Sequence, residues 1–219
     1  MSAPIPVIAI DGPSASGKGT VAARVAEALG FVYLDSGALY RVTAYAAGLG
    51  DVPLDDEAAL ARMAQGLNLR FEGGEVFLDD APVGDAIRTE EAGRAASKIA
   101  ALPALRAALL DLQRDFRKAP GLVTDGRDMG SVVFPDASVK VFLTASAEER
   151  AQRRYKQLIE KGFDANLAAL VQDLKERDAR DAGRQAAPLK QGADAHLLDT
   201  TGVSIQAAVD RVLDWYRNS

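Results

Sequence analysis

Cysteine is absent from this chain, which excludes disulfide bridges, thiolate-bound metals and cysteine nucleophiles together. Histidine occurs once, at His196, leaving no imidazole cluster for a metal and no obvious Ser-His machinery, and at the start of a β-rich run it reads as structural. An excess of basic residues is also missing: 26 Lys and Arg face 31 Asp and Glu, for a net charge of -5. A phosphate backbone demands a broad cationic surface, so a general nucleic-acid binder is not expected. A small phosphorylated ligand held by a few local cations is still compatible with that balance. No apolar run is long enough to cross a membrane, and the opening MSAPIPVIAID lacks the basic start and sustained apolar stretch of a signal peptide. No membrane partner and cytoplasmic residence are therefore expected.

What is present fits one sizeable core with a small appended lobe: 219 residues, 48% hydrophobic and 26% charged. The run PVIAID (6–11) feeds directly into glycine-rich GPSASGKGT and then VAARVAEALG, a strand, turn and helix closed by Gly30. FVYLDSG (31–37), GLVTDGRDMG (121–130), VKVFLTAS (139–146) and HLLDTTG (196–202) repeat the theme of a β-rich run ending in turn-forming or capping residues. Five such strands separated by helical stretches predict an α/β fold with a mostly parallel sheet covered on both faces. Between residues 50 and 100 the pattern changes. After a helix at 55–65, the pieces LNLRF, EVFLDD and APVGD, separated by Gly73-Gly74 and Ala81-Pro82, fit a small antiparallel excursion inserted into the main fold. An amphipathic helix started by Pro103 leads back. Trp215 and Tyr216 close a terminal helix expected to pack on the sheet.

Gly12, Pro13, Ser14, Ala15, Ser16, Gly17 and Lys18 have the spacing of a phosphate-binding loop between a strand and a helix. Glycines let successive backbone N–H groups point inward, the helix start adds partial positive charge, and Lys18 can reach the β and γ phosphates of a nucleoside triphosphate. Gly19 follows the lysine where many such loops carry a hydroxyl for magnesium, and Thr20 comes one place later. Direct metal ligation by Thr20 or Ser16 stays open, while a magnesium requirement with ATP is expected because crowded phosphate oxygens need a hard cation. The lysine-rich base-reading motif of switch GTPases is absent, and the chain is short for a motor.

A small kinase needs a second cradle for its acceptor. DSGALYR (35–41) places Ser36 and Arg41 at the end of the second strand, where open sheets hold ligands. DGRDMG (125–130) follows another strand end: Asp125 resembles the acid that orients hydrated magnesium, with Arg127 and Asp128 free to address the acceptor. ERDARDAGR (176–184) spaces Arg177, Arg180 and Arg184 at i, i+3 and i+7, one face of a helix. A surface helix laced with ion pairs and a lid carrying guanidinium forks to phosphates both fit that spacing.

GPSASGKGT, LDSGALYR, IRTEEAGRAAS, DGRDMGSVVFPDA and ERDARDAGRQAAPL with the terminal LLDTTG together resemble bacterial cytidylate kinases of the nucleoside monophosphate kinase superfamily, across nearly the whole chain. The resemblance implies a P-loop NTPase-like core of five parallel strands and a single kinase domain over 1–219. Within it the core takes 1–50, 100–150 and 190–219, a monophosphate-binding insert 51–99, and a lid region 151–189 whose mobile part lies near 176–186. It implies ATP and CMP or dCMP as small-molecule partners, with the magnesium cofactor already expected; nothing in the sequence requires an oligomer, so a monomer is expected. Carried over motif by motif, Ser36, Arg41 and Arg127 surround the acceptor, and Ser97, Arg106 and Asp128 read cytosine. Arg177 and Asp181 contact ribose, Arg184 meets phosphate near the transfer line, and Arg153 and Arg180 are further phosphate neighbours. Lys18, Arg127, Arg177, Arg180 and Arg184 are the expected catalytic set, acting by position and charge rather than as acid or base. Kinases of UMP, AMP or a small metabolite, and a phosphate-loop regulator that changes partners on nucleotide hydrolysis, are the alternatives at this stage.

Overall fold

In the computed structural model, which describes residues 4–72, 75–160, 162 and 164–219, the chain divides into two compact units. One comprises Met1–Leu34 and Phe116–Ser219, the other Asp35–Asp115. The first is built on a five-stranded sheet from β1 (Val7–Asp11), β2 (Val32–Asp35), β6 (Leu122–Gly126), β7 (Val139–Thr144) and β8 (His196–Asp199), in the order β2-β6-β1-β7-β8. β1 pairs in parallel with β6 and β7, and β7 in parallel with β8. The two central strands, VIAID and LVTDG, are buried at every residue, which is why they read as continuous runs and not as alternating ones.

Helix α1 (Lys18–Leu29) and helix α9 (Ile205–Arg217) bury Val21, Val25, Val209 and Val212 against Ile8, Ile10, Val123, Val141 and Leu143. Gly30 ends α1 in the left-handed conformation at φ 66°, returning its N–H to the Ala26 and Glu27 carbonyls. His196 stacks on Trp215 with ring centroids 4.4 Å apart, and Tyr216 meets Phe31 edge to face at 5.6 Å, so all four rings serve packing. Helices α7 (Ala147–Glu160) and α8 (Leu167–Ala182) pack together through Ala151, Leu170 and Leu174.

The second unit holds α2 (Ser36–Leu49), α3 (Glu57–Gly66), a sheet of β3 (Leu69–Glu72), β4 (Glu75–Leu78) and β5 (Ala81–Pro82), the short α4 (Gly84–Ile87), α5 (Glu90–Ile99) and α6 (Pro103–Arg114). It reaches beyond residues 51–99 because α2 buries Ala38 and Val42 against Val76, Leu78, Val83 and Ile87, while α6 packs along α3. Side chains cap α2, α3 and α5: Asp35, Asp56 and Thr89 accept from the N–H groups of Ala38, Ala59 and Ala92.

Two sequence expectations need correction. Ala81-Pro82 is not a separator but the third strand, because Asp79 and Asp80, both at positive φ, form the two-residue turn that pairs Leu78 with Ala81. Gly73-Gly74 lies outside the described residues. The second correction concerns Arg177, Arg180 and Arg184. They do not share one helical face: α8 ends at Ala182 with Gly183 as its cap, so Arg184 lies beyond the helix, and Arg180 is exposed while Arg177 and Arg184 are half-buried. Gly183 keeps a right-handed backbone at φ -83° and donates its N–H to Ala179 O at 2.9 Å, closing the helix just before Arg184.

Candidate active site

The loop between β1 and α1 turns its carbonyls outward onto cations. Lys18 donates Nζ to Pro13 O at 3.3 Å, Arg150 donates Nη1 to Ser14 O at 3.0 Å, and Arg153 donates Nη1 to Ser16 O at 3.0 Å. With the carbonyls occupied on that side, the peptide N–H groups are presented to the other. Helix α1 begins here with no side-chain cap and no acid in its first turn, which leaves its N-terminal donors for an anion. Gly12 is obligatory for steric reasons, since a Cβ there would lie 2.0 Å from Leu143 O. Gly17 takes φ 92° where the loop enters the helix.

Two acids close the neighbouring strands. Asp125, buried at the end of β6, accepts from the Tyr33 hydroxyl at 2.7 Å and has its other oxygen 4.0 Å from Lys18 Nζ. Asp11, buried at the end of β1, accepts from the N–H groups of Met129 and Gly130 at 2.8 and 2.9 Å. Burial pushes its carboxyl up to about 6, more than those two N–H groups and Arg127 pull it down. Asp11 thereby fixes the π-helical turn Met129–Val133 that follows Arg127 and Asp128.

The arginine-rich segment is organised by acids. Asp181, buried, accepts from Arg127 Nε at 2.7 Å and from Arg184 Nη2. Burial raises its carboxyl, but Arg127 and Arg184 outweigh that and, with the field of Arg177, hold it below the usual carboxylate value. Arg127 also donates to Gly126 O at 3.1 Å. Asp178 takes both nitrogens of the buried Arg150 guanidinium, at 3.2 and 2.5 Å. Arg153 reaches the terminal strand as well, donating to Thr200 Oγ1 and Thr200 O at 3.1 and 2.6 Å.

The sequence-predicted residues thus fall into two sets. In the first unit stand Gly12 to Thr20, Asp125, Arg127, Asp128, Arg177, Asp181 and Arg184, of which Lys18 is brought to Asp125, and Arg127 and Arg184 to Asp181. Arg180 is exposed in this structure and Thr20 is exposed at the start of α1. In the second unit, Ser36 is buried on α2 and Ser97 is buried on α5, two helices that pack together. There Arg41 pairs with Asp35, leaving its buried Nε without a partner, and Arg106 donates to Ala100 O at 3.1 Å. Sequence reasoning missed Arg150, Tyr33 and Asp11. An acid ending an otherwise apolar strand was a visible signal for Asp11; Arg150 gave none, as one of three arginines in a highly charged helix.

For a magnesium–nucleotide complex the donor set is suitable. Ser16 Oγ is buried and unpartnered at the loop, and the Asp125 carboxylate lies beside the lysine. No group of three or more metal-ligating side chains occurs among the described residues. Magnesium usually keeps several waters and takes one or two protein oxygens plus substrate phosphates, so a full protein cage is not required. Asp125 and Ser16 are the residues that would hold it.

A family model for cytidylate kinase matches residues 8–218. The cytidylate kinase of Chromobacterium violaceum is 63% identical over 212 residues, 97% of this chain and 96% of that protein. That of Bordetella bronchiseptica is 59% identical over 212 residues, 97% of this chain and 95% of that protein. Among solved structures, an uncharacterized protein from Eubacterium ventriosum superposes with a TM-score of 0.56 at 11% identity, covering 98% of this chain and 99% of that one, a likeness of fold alone. The family model and the two close relatives span the phosphate loop, both acids and every arginine described above, and the chain belongs to the cytidylate kinase family.

Proposed function

We propose that the chain phosphorylates CMP and dCMP with ATP, giving CDP or dCDP and ADP. An oxygen of the acceptor's phosphate attacks the γ phosphorus in line as the bond from that phosphorus to the β–γ bridging oxygen breaks, and the electron pair leaves with ADP. The observation that carries this reading is the pairing of an ATP-type loop, its carbonyls tied back by Lys18, Arg150 and Arg153, with a second set of guanidiniums gathered on Asp181. One anion site serves a nucleotidase or a switch; two serve a transferase.

Lys18 follows the transferring phosphoryl group, and magnesium, when bound with ATP, neutralises the crowded phosphate oxygens. Arg127 and Arg41 hold the acceptor phosphate; Arg184, with Arg177 and Arg180, screens charge in flight. Arg177 and Asp181 meet the ribose. Ser97, Arg106 and Asp128 read the base: cytosine offers an amine donor to the Asp128 carboxylate, whereas uracil sets a carbonyl against it. One such buried mismatch costs about 1–3 kcal/mol, so UMP is a weaker substrate and not an excluded one. The working form is a monomer in the cytoplasm that needs neither nucleic acid nor membrane. No helix of the described residues is long and apolar enough to cross a bilayer.

A coupled assay of ADP production over all nucleoside monophosphates tests the reading. Rates at subsaturating acceptor are expected in the order CMP and dCMP above UMP, with AMP and GMP near background. ATP consumption indifferent to CMP, or equal specificity for CMP and UMP, would sink the acceptor and base assignments respectively.

A further inference from the structure

The sequence leaves one irregularity in the donor loop unexplained: glycine, not serine or threonine, follows the lysine. In the common loop that hydroxyl meets magnesium. Here Gly19 is the second residue of α1 and its φ is not positive, so an L side chain is permitted by the backbone. A Cβ at Gly19 would point at three atoms: Tyr33 Oη at 3.4 Å and the Asp125 oxygens at 3.8 and 3.9 Å. The space where a side-chain hydroxyl would stand is therefore already bordered by one, delivered from β2. That phenol donates to Asp125 Oδ1 at 2.7 Å, while Oδ2 is the oxygen facing Lys18.

We propose that Tyr33 is a positioning residue whose hydroxyl replaces the one missing after Lys18, holding Asp125 in the orientation that meets the magnesium carried by ATP. The phenol fixes one carboxylate oxygen and aims the other along the lysine side of the loop. A carboxylate held by a short hydrogen bond from a rigid ring has fewer orientations than one restrained by water alone, so less ordering is left for the arrival of the nucleotide. Gly19 is then the complement of Tyr33: a Cβ at 19 would touch the phenol oxygen at van der Waals distance, and a hydroxyl added to it would crowd the one at 33. The inference rests on the proposed role of Asp125 toward magnesium.

The test is calorimetric binding of ATP without acceptor, in EDTA and in magnesium, for wild type, Tyr33→Phe, Asp125→Asn and the pair Gly19→Ser with Tyr33→Phe. The ratio of the two Kd values measures how much magnesium tightens binding and involves no turnover. Tyr33→Phe is expected to lower that ratio about tenfold, the scale of one hydrogen bond to a charged group. Adding Gly19→Ser is expected to restore it, since the serine enters space that the missing phenol oxygen vacates. A ratio unchanged in Tyr33→Phe but collapsed in Asp125→Asn overturns the inference while leaving Asp125 in place. A ratio unchanged in Asp125→Asn removes the Asp125 reading itself, and the inference with it.

Discussion

Asp181→Asn is the perturbation whose consequences the structure specifies most fully. The Asp181 side chain is 1% exposed and joins Arg127 and Arg184, themselves 15% and 6% exposed. At an effective dielectric near 20, two unit charges about 4 Å apart attract by about 4 kcal/mol, so the two pairs supply about 8 kcal/mol, less about 2 kcal/mol of repulsion between the guanidiniums, before desolvation. Taking the three charges out of water offsets much of this, and the net worth of such a triad against an apolar one is small. Removing only the acid is another matter, because both guanidiniums stay buried. The cost of breaking a buried pair from one side is about 3–5 kcal/mol, and asparagine, which keeps the shape and one acceptor oxygen, belongs at the lower end, about 3 kcal/mol. For a chain of this size that is a fall in Tm of roughly 6–12 °C.

Urea denaturation followed by Trp215 fluorescence is the appropriate assay, since the only tryptophan lies in the same compact unit as Asp181. The pH dependence gives an independent check. The Asp181 carboxyl is held below its ordinary value, so its contribution is complete above an unfolded pKa of about 3.9 and is lost as pH falls through the folded value. The gap between wild type and variant is therefore expected to be constant from about pH 7 to pH 5 and to close only below about pH 4. A variant within about 1 kcal/mol of wild type at neutral pH, or a gap that closes between pH 7 and 5, refutes the account of a buried, charge-locked acid.

Arg184→Ala is expected to lower kcat by roughly 10² to 10³, the scale of losing one transition-state donor, and unchanged turnover in steady-state kinetics removes Arg184 from the catalytic set. Asp11 titrates in the opposite sense to Asp181: its folded pKa of about 6 exceeds the unfolded value, so its contribution is full below about pH 4 and declines as pH rises to about 6. Urea denaturation should find wild type more stable relative to Asp11→Asn at about pH 4.5 than at about pH 7.5, and an unchanged difference contradicts the burial-driven shift.

The fold was legible wherever burial is written into local sequence. VIAID and LVTDG announce central strands because both their faces are covered, and Gly30 and Pro103 stand at helix ends where their backbone preferences put them. The Asp79-Asp80 turn was not legible, since left-handed aspartates are uncommon and the pair resembles any polar loop. Within the site, the phosphate loop could be read from spacing, but what holds it could not. Arg150 meets Ser14 across 136 residues and Asp178 across 28, and no periodicity within α7 separates it from Arg153 or Arg154. The arginines at 177, 180 and 184 were read as a face because helical spacing was visible and the end of the helix at Ala182 was not.

The charge balance of the chain also has a structural account. An acidic protein that binds two nucleotides looks paradoxical if its cations stand in an empty field, but here they do not. Lys18 rests on Pro13 O and near Asp125, Arg127 on Gly126 O and Asp181, and Arg184 on Asp181. Each cation already faces an oxygen of the kind a phosphate would present, so on the proposed function binding would exchange one partner for another instead of introducing the first. On the same proposal the acids would lower the electrostatic gain of binding but hold the guanidinium forks in place beforehand, and a catalyst working by position depends more on the second than on the first. Asp11 extends the same logic to the backbone: it directly precedes Gly12, its Cα is in register with Gly126, and its carboxylate ties down Met129 and Gly130. The glycine-rich loop and the loop that carries Arg127 and Asp128 are therefore joined by this buried carboxylate as well as by the Gly12 N–H to Gly126 O bond, so a disturbance at either is expected to reach the other.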